Sequence, residues 1–301
     1  MKKYITSGLV MENSIIEKID KQVLNDDMYS EDITDIARIC RLNITNQDQE
    51  KEYGCRNGRY ITIYTSPLWK LGGHEAAMLS DIIAQELRSL IKNSGIGEVT
   101  EHLSVLAVGI GNRQITPDAI GPATVDKLTV TRHIKNIAPV VYRDLGMCSV
   151  AAINCGVMGD TGMQTSEIIK GIVSHTNPDI IVAIDALAAK EYDRLASTIQ
   201  ISDNGIVPGS GIGNRSEAID RVNLGIPVIA IGVPTVVSAA TLIGDSLRRS
   251  GKTKVNEKLE RILDGSKDFF VAPKECDIIT VRVSDILSRA VDKALSVITD
   301  K

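Results

Sequence analysis

From residue 103 onward the chain alternates short, wholly apolar runs with helical stretches, and this pattern narrows the possible folds more than any other feature. Leu103 to Val108 is apolar apart from Ser104 and leads into Gly109-Ile110-Gly111-Asn112. Ser149 to Ile153 and Asp179 to Ile184 are runs of the same kind, and Ile226 to Val233 is another. A strand with one wet face alternates apolar and polar residues, whereas a strand apolar on both faces has to be covered on both. Between the runs lie helical stretches. The clearest is Glu167 to His175, which carries Ile168, Ile169, Ile172 and Val173 on one side. The alternation predicts an α/β fold, a mostly parallel sheet flanked by helices.

Other segments extend the pattern. Arg59 to Thr65 and Ser197 to Ser202 alternate and read as strands. Leu79, Ile82, Ile83, Leu87, Leu90 and Ile91 fall at helical spacing, and Gly95 and Gly97 end that helix. Ser284 to Ile298 reads as a closing amphipathic helix. The first 58 residues differ. They are rich in Asn, Asp, Glu and Lys, with weak periodicity, and predict an irregular N-terminal extension, a candidate pro-segment with one or two short helices. The α/β domain is expected over residues 59–301.

Charge and cysteine usage exclude several classes. With 34 basic against 38 acidic residues the net charge is −4, which offers no support for a basic face in direct contact with nucleic-acid phosphates and leaves room only for a local basic patch. The apolar run after Met1-Lys2-Lys3 stops at Glu12, so no signal peptide is expected, and no later run is long enough to span a membrane. The five cysteines, Cys40, Cys55, Cys148, Cys155 and Cys276, are odd in number and lack C-x-x-C spacing. They predict reduced thiols in an intracellular protein.

Chemistry in open α/β sheets gathers beyond the carboxyl ends of strands. Two acids fall at such ends. The strand VLAVGIGN leads through Arg113-Gln114-Ile115-Thr116-Pro117 to Asp118, and the strand DIIVAI ends on Asp185. Two carboxyls brought together in a partly dry place cannot both ionise cheaply, so one keeps its proton. Such a pair takes a proton from water and returns one to a leaving amine, which is peptide hydrolysis without a nucleophilic side chain. Plainer roles fit the same residues: Asp118 as a helix N-cap, Asp185 as a satisfied core carboxylate. Spacing alone leaves the pair a candidate. Arg113 and Glu167 lie near the same strand ends and are weaker candidates for substrate contact or for tuning the pair.

Other motifs carry less. Gly109-Ile110-Gly111-Asn112 begins like a dinucleotide loop, but Gln114 stands where the third glycine belongs. The Gly-rich stretches Gly156 to Gly162 and Asp203 to Asn214 each suit either an anion site or the rim of a substrate cleft. There is no G-x-S-x-G elbow. His74, His102, His133 and His175 all precede Asp185 and read as surface or satisfied histidines, so no metal or cofactor is expected.

The segments GIGNRQITPDAIGPATVDKLTVTRH, GVMGDTGMQTSEIIKGIV, PDIIVAIDALAAKEYDRLASTIQISDNGIVPGSGIGN and LGIPVIAIGVPTVV closely resemble the germination proteases of spore-forming bacteria, in that family's order. The resemblance covers roughly residues 100 to 245, with a fainter echo at Val271 to Glu275. It implies an atypical aspartic peptidase whose essential acids fall on TPDAIGP and AIDALAA, that is Asp118 and Asp185. It further implies a zymogen in the developing spore core, a homotetramer, and small acid-soluble spore proteins as substrate. The family's self-cleavage site places an acid before a short apolar stretch ending in Glu; here Gly8 precedes Leu9-Val10-Met11-Glu12. Ser250 to Lys267 is also shorter than in typical members. Two other readings compete. Metal-dependent maturation peptidases that trim hydrogenase subunits resemble this chain in fold, but they add a metal-binding histidine beyond the second acid, and none follows Asp185 here. An inactive relative would bind spore proteins without cutting them.

Overall fold

The computed structural model describes residues 28–209, 216–251, 257–266 and 268–297. Gly8 to Glu12, part of the loop Asp203 to Asn214, and Ile298 lie outside the described residues. The strands are β1 (Tyr29–Ile33), β2 (Ala37–Ile44), β3 (Gly58–Thr65), β4 (Ser104–Ile110), β5 (Ser149–Gly156), β6 (Ile180–Ala189), β7 (Thr198–Ser202), β8 (Val228–Ser238) and β9 (Phe270–Val271). The helices that frame the site are α1 (Gly73–Ile91), α2 (Ile120–Val125), α3 (Thr165–Thr176), α4 (Ala239–Arg249) and α5 (Cys276–Leu295).

The nine strands among the described residues form one sheet, in the order β1-β2-β3-β7-β8-β6-β4-β5, with β9 paired to the far end of β8. The α/β class is as the alternation predicts. From β5 through β4 and β6 to β8 the strands run parallel; from β8 through β7 and β3 to β1 they run antiparallel. Parallel neighbours need a long crossover, usually a helix. Between Ala189 and Thr198 there is only the 3-10 turn Tyr192–Arg194, so β7 runs against β8.

The apolar runs are covered on both faces. Val105 and Ala107 of β4, and Ile180, Val182 and Ile184 of β6, enter a core shared with Leu79, Ile83 and Leu87 of α1 and Val283 and Leu287 of α5. Leu106 and Val108 of β4, and Ile181 and Ala183 of β6, face the other way, onto Ile169 of α3. The five cysteines are free thiols, four of them buried. No helix among the described residues is long and apolar enough to cross a membrane.

Residues 28–58, read from sequence as irregular with short helices, contribute strands β1 and β2 and the helix Gln47–Tyr53. In β2, Ala37 and Ile39 enter the main core, while Cys40, Leu42 and Ile44 join Tyr53, Cys55 and Tyr60 in a smaller one. The arginines that blur the pattern are accommodated at its edges: Arg38 lies over the Tyr64 ring, and Arg41 pairs with Asp32 and Glu86.

β4 pairs with β5 on one side and β6 on the other, so strand order reverses there. That is the point at which open α/β sheets form a crevice. The first turn of α2 seals its floor. A Cβ on Gly121 would collide with the backbone carbonyls of Ile110 and Ile184, at the ends of β4 and of its pairing with β6. Gly121→Ala is therefore expected to destabilise the fold by about 2 kcal/mol or more, through forced backbone displacement. Urea unfolding measures this, and an unchanged midpoint would contradict the close seating of α2.

Candidate active site

Asp118 reaches the crevice through a tight loop after β4. Gly111 turns the chain with φ 120, and any side chain there would strike the Asp118 carbonyl. The Asn112 side chain accepts the Gln114 N–H at 2.8 Å, which shapes the next turn. Thr116–Asp118 then forms a single 3-10 turn. The half-buried Asp118 carboxylate accepts the Asn112 N–H at 2.6 Å. It is not the N-cap of α2, a position held by Ala119.

Asp185 is 4% exposed. The last pair between β4 and β6 is Gly109 with Ile184, so Asp185 stands one residue beyond it. The strand does not end at Asp185 as the sequence predicts; it continues to Ala189, paired with β8 alone. Asp185 lies opposite Gly232 of β8, and one carboxylate oxygen accepts the Ala186 N–H at 2.8 Å.

Both carboxyls line one cleft of about 480 Å³. Its walls are largely apolar, with Ile115, Val157, Met158, Leu187 and Phe270 among them, and no Lys, Arg or His among the described lining residues. Burial raises the Asp185 carboxyl to about 8, reinforced by the charge of Asp118 and opposed by the Ala186 N–H. Burial also raises Asp118, opposed by the Asn112 N–H. At neutral pH the pair can therefore keep one proton on Asp185.

The weaker candidates are occupied elsewhere. Arg113 bonds Asp126 at 3.0 Å, and Glu167 accepts the Gln164 N–H at 2.8 Å as a cap of α3. All four histidines are exposed, and none lines the cleft. Both Gly-rich stretches contribute to the rim, through Val157 and Met158 in the first and Val207, Pro208 and Gly209 in the second. No pattern in the sequence marks Asn112 as a partner of Asp118, or places Phe270 and Thr235 in the wall.

A family model of germination proteases matches residues 6–249. The chain belongs to the germination protease family. A germination protease of Clostridium perfringens is 38% identical over 313 residues, covering 97% of this chain and 93% of that one. One from Caldanaerobacter subterraneus is 39% identical over 284 residues, 86% of this chain and 84% of that one. One from Priestia megaterium is 44% identical over 211 residues, 70% of this chain and 56% of its own longer sequence. Membership makes the chain a spore-germination endopeptidase, and the cleft is lined by two of its carboxyls, Asp118 and Asp185.

Because Asp185 binds its proton more tightly folded than unfolded, it lowers stability progressively as pH rises from about 4 to about 8. Asp185→Asn should raise the thermal midpoint at neutral pH by about 2–8 °C, with a larger gain at pH 8 than at pH 5. A midpoint that is lower, or a gain independent of pH, would contradict a buried protonated carboxyl.

Proposed function

We propose that this germination protease hydrolyses small acid-soluble spore proteins through a water activated between Asp118 and Asp185. The observation that carries the reading is the raised Asp185 carboxyl sharing one desolvated cleft with Asp118. Asp118, ionised, takes a proton from the water as its oxygen attacks the scissile carbonyl. Asp185, protonated, donates to the carbonyl oxygen and stabilises the tetrahedral intermediate. Asp118 then delivers its proton to the leaving amine, the C–N bond breaks, and Asp185 recovers its proton as the carboxyl product forms. No side-chain nucleophile is required.

The family supports the rest of the reading. In this reading the enzyme works in the developing spore core as a homotetramer; removal of a pro-segment is not part of it, because Gly8 stands where the family's self-cleavage site has an acid. Catalysis draws on no metal, because Asp118 and Asp185 supply both the base and the acid.

Purified protein incubated with a small acid-soluble spore protein, with and without EDTA, tests this directly. Cleavage insensitive to chelation is expected, with Asp118→Asn and Asp185→Asn each lowering kcat/KM by about 10²–10⁴-fold while remaining folded. Cleavage abolished by EDTA, binding without cutting, or near-normal turnover by either variant would sink the two-aspartate mechanism. The rate should also be bell-shaped in pH: rising as Asp118, raised by burial from its ordinary value, loses its proton, and falling above about 8 as Asp185 loses its own. A rate undiminished at pH 9.5 would contradict the assignment of the acid.

A further inference from the structure

Thr235 stands where the register between β6 and β8 slips. Leu187 lies opposite Pro234 and Ala188 opposite Val236, so Thr235 is the extra residue of a β-bulge. Bulges re-aim side chains and are frequent beside active sites. Thr235 is 3% exposed and lines the aspartate cleft, and its hydroxyl has no hydrogen-bond partner among the described residues. An unpaired buried hydroxyl costs about 1–3 kcal/mol, and folded proteins leave few of them. Valine has the same shape and suits a strand without that cost, so packing alone does not call for a threonine here.

The other polar side chains of the cleft differ from it. Asp118 and Asp185 accept main-chain N–H groups and are assigned to the chemistry. Gln164 is exposed and accepts the Glu217 N–H, and Thr165 and Ser216 are only partly buried. Leu187, Val236 and Phe270 offer apolar contact but no donor. Among the described residues Thr235 is thus the buried side chain of the wall with hydrogen-bonding capacity to spare.

We propose that the Thr235 hydroxyl binds the main chain of the polypeptide substrate, away from the bond that is cut. The inference rests on the peptidase reading of the cleft. Asp185 lies opposite Gly232, three residues before Thr235 in β8. At about 3.3 Å per residue the hydroxyl lies about 10 Å along the sheet from the carboxyl pair. An extended peptide has the same rise, so Thr235 meets it about three residues from the scissile bond. A hydroxyl both donates and accepts, which suits a peptide group of any sequence. The substrate so described is an extended segment of polypeptide, held by its backbone and packed against apolar walls.

The test is steady-state cleavage by wild type, Thr235→Val and Thr235→Ser, using a small acid-soluble spore protein and synthetic peptides around its cut site trimmed from either end. Thr235→Val should lower kcat/KM on the full-length substrate about tenfold, the loss of one hydrogen bond, with a melting point equal to or above wild type. Thr235→Ser should stay within about threefold of wild type, because it keeps the hydroxyl. On peptides trimmed to two residues on the side that Thr235 serves, wild type and Thr235→Val should become equal. Equal kcat/KM on the full-length substrate would overturn the inference. So would a loss that persists on every trimmed peptide, or one that comes with a lower melting point and is not rescued by serine, since both mark a structural role. A wild-type protein that cuts no polypeptide would overturn the peptidase reading and this inference with it. A wild type that cuts as well as Thr235→Val does would sink this inference alone.

Discussion

The first turn of α2 rests on the ends of two parallel strands, with Gly121 against the carbonyls of Ile110 and Ile184. Much of the site follows from that contact. It brings Asp118, three residues earlier in the chain, over the strand end where Asp185 emerges. Asp185 itself is 4% exposed. A carboxyl so placed, beside another of like charge, holds its proton well beyond the ordinary carboxylate range. The chemistry proposed for the cleft comes from that placement and from no special property of aspartate.

Such a site has an energetic cost that the rest of the fold must offset. Keeping Asp185 protonated at neutral pH costs on the order of 4 kcal/mol relative to the unfolded chain. That is a large share of the stability of an ordinary domain. The sheet supplies the compensation: β4 and β6 are buried on both faces, and α1 and α5 close over one of them. Each fully buried aliphatic side chain contributes about 1.5–3 kcal/mol. Strands β1, β2, β3 and β7, with a second small core under β2, widen the platform without lining the cleft.

The parallel half of the fold was legible in the sequence because its strands are apolar on both faces, which leaves few alternatives. The edge strands were not. In β2, Arg38 and Arg41 interrupt the apolar pattern, and their partners Tyr64, Asp32 and Glu86 lie elsewhere in the chain. The candidate acids could be placed at strand ends from local pattern, and the family motifs singled them out. Their setting could not be read the same way. The continuation of β6 past Asp185 hides in Ala186 to Ala189, whose pairing depends on β8. The Asn112 bond to Asp118 depends on the positive φ of Gly111. Thr235 looks like one more member of a β-rich run until the register of β6 against β8 shows it to be a bulge.

Asp118 lies close enough to Asp185 for its charge to help hold the proton on that carboxyl, and the most direct measurement of this is the titration of the aspartate side chains themselves. Carbon-13 NMR of protein labelled at the aspartate carboxyls, with Asp185→Asn for assignment, should reveal one resonance that stays protonated through neutral pH and titrates near 8. The same resonance should move to lower pH in Asp118→Asn, where the neighbouring charge is gone. Titration of Asp185 below about 5, in the ordinary carboxylate range, or no response to the loss of Asp118, would contradict the account.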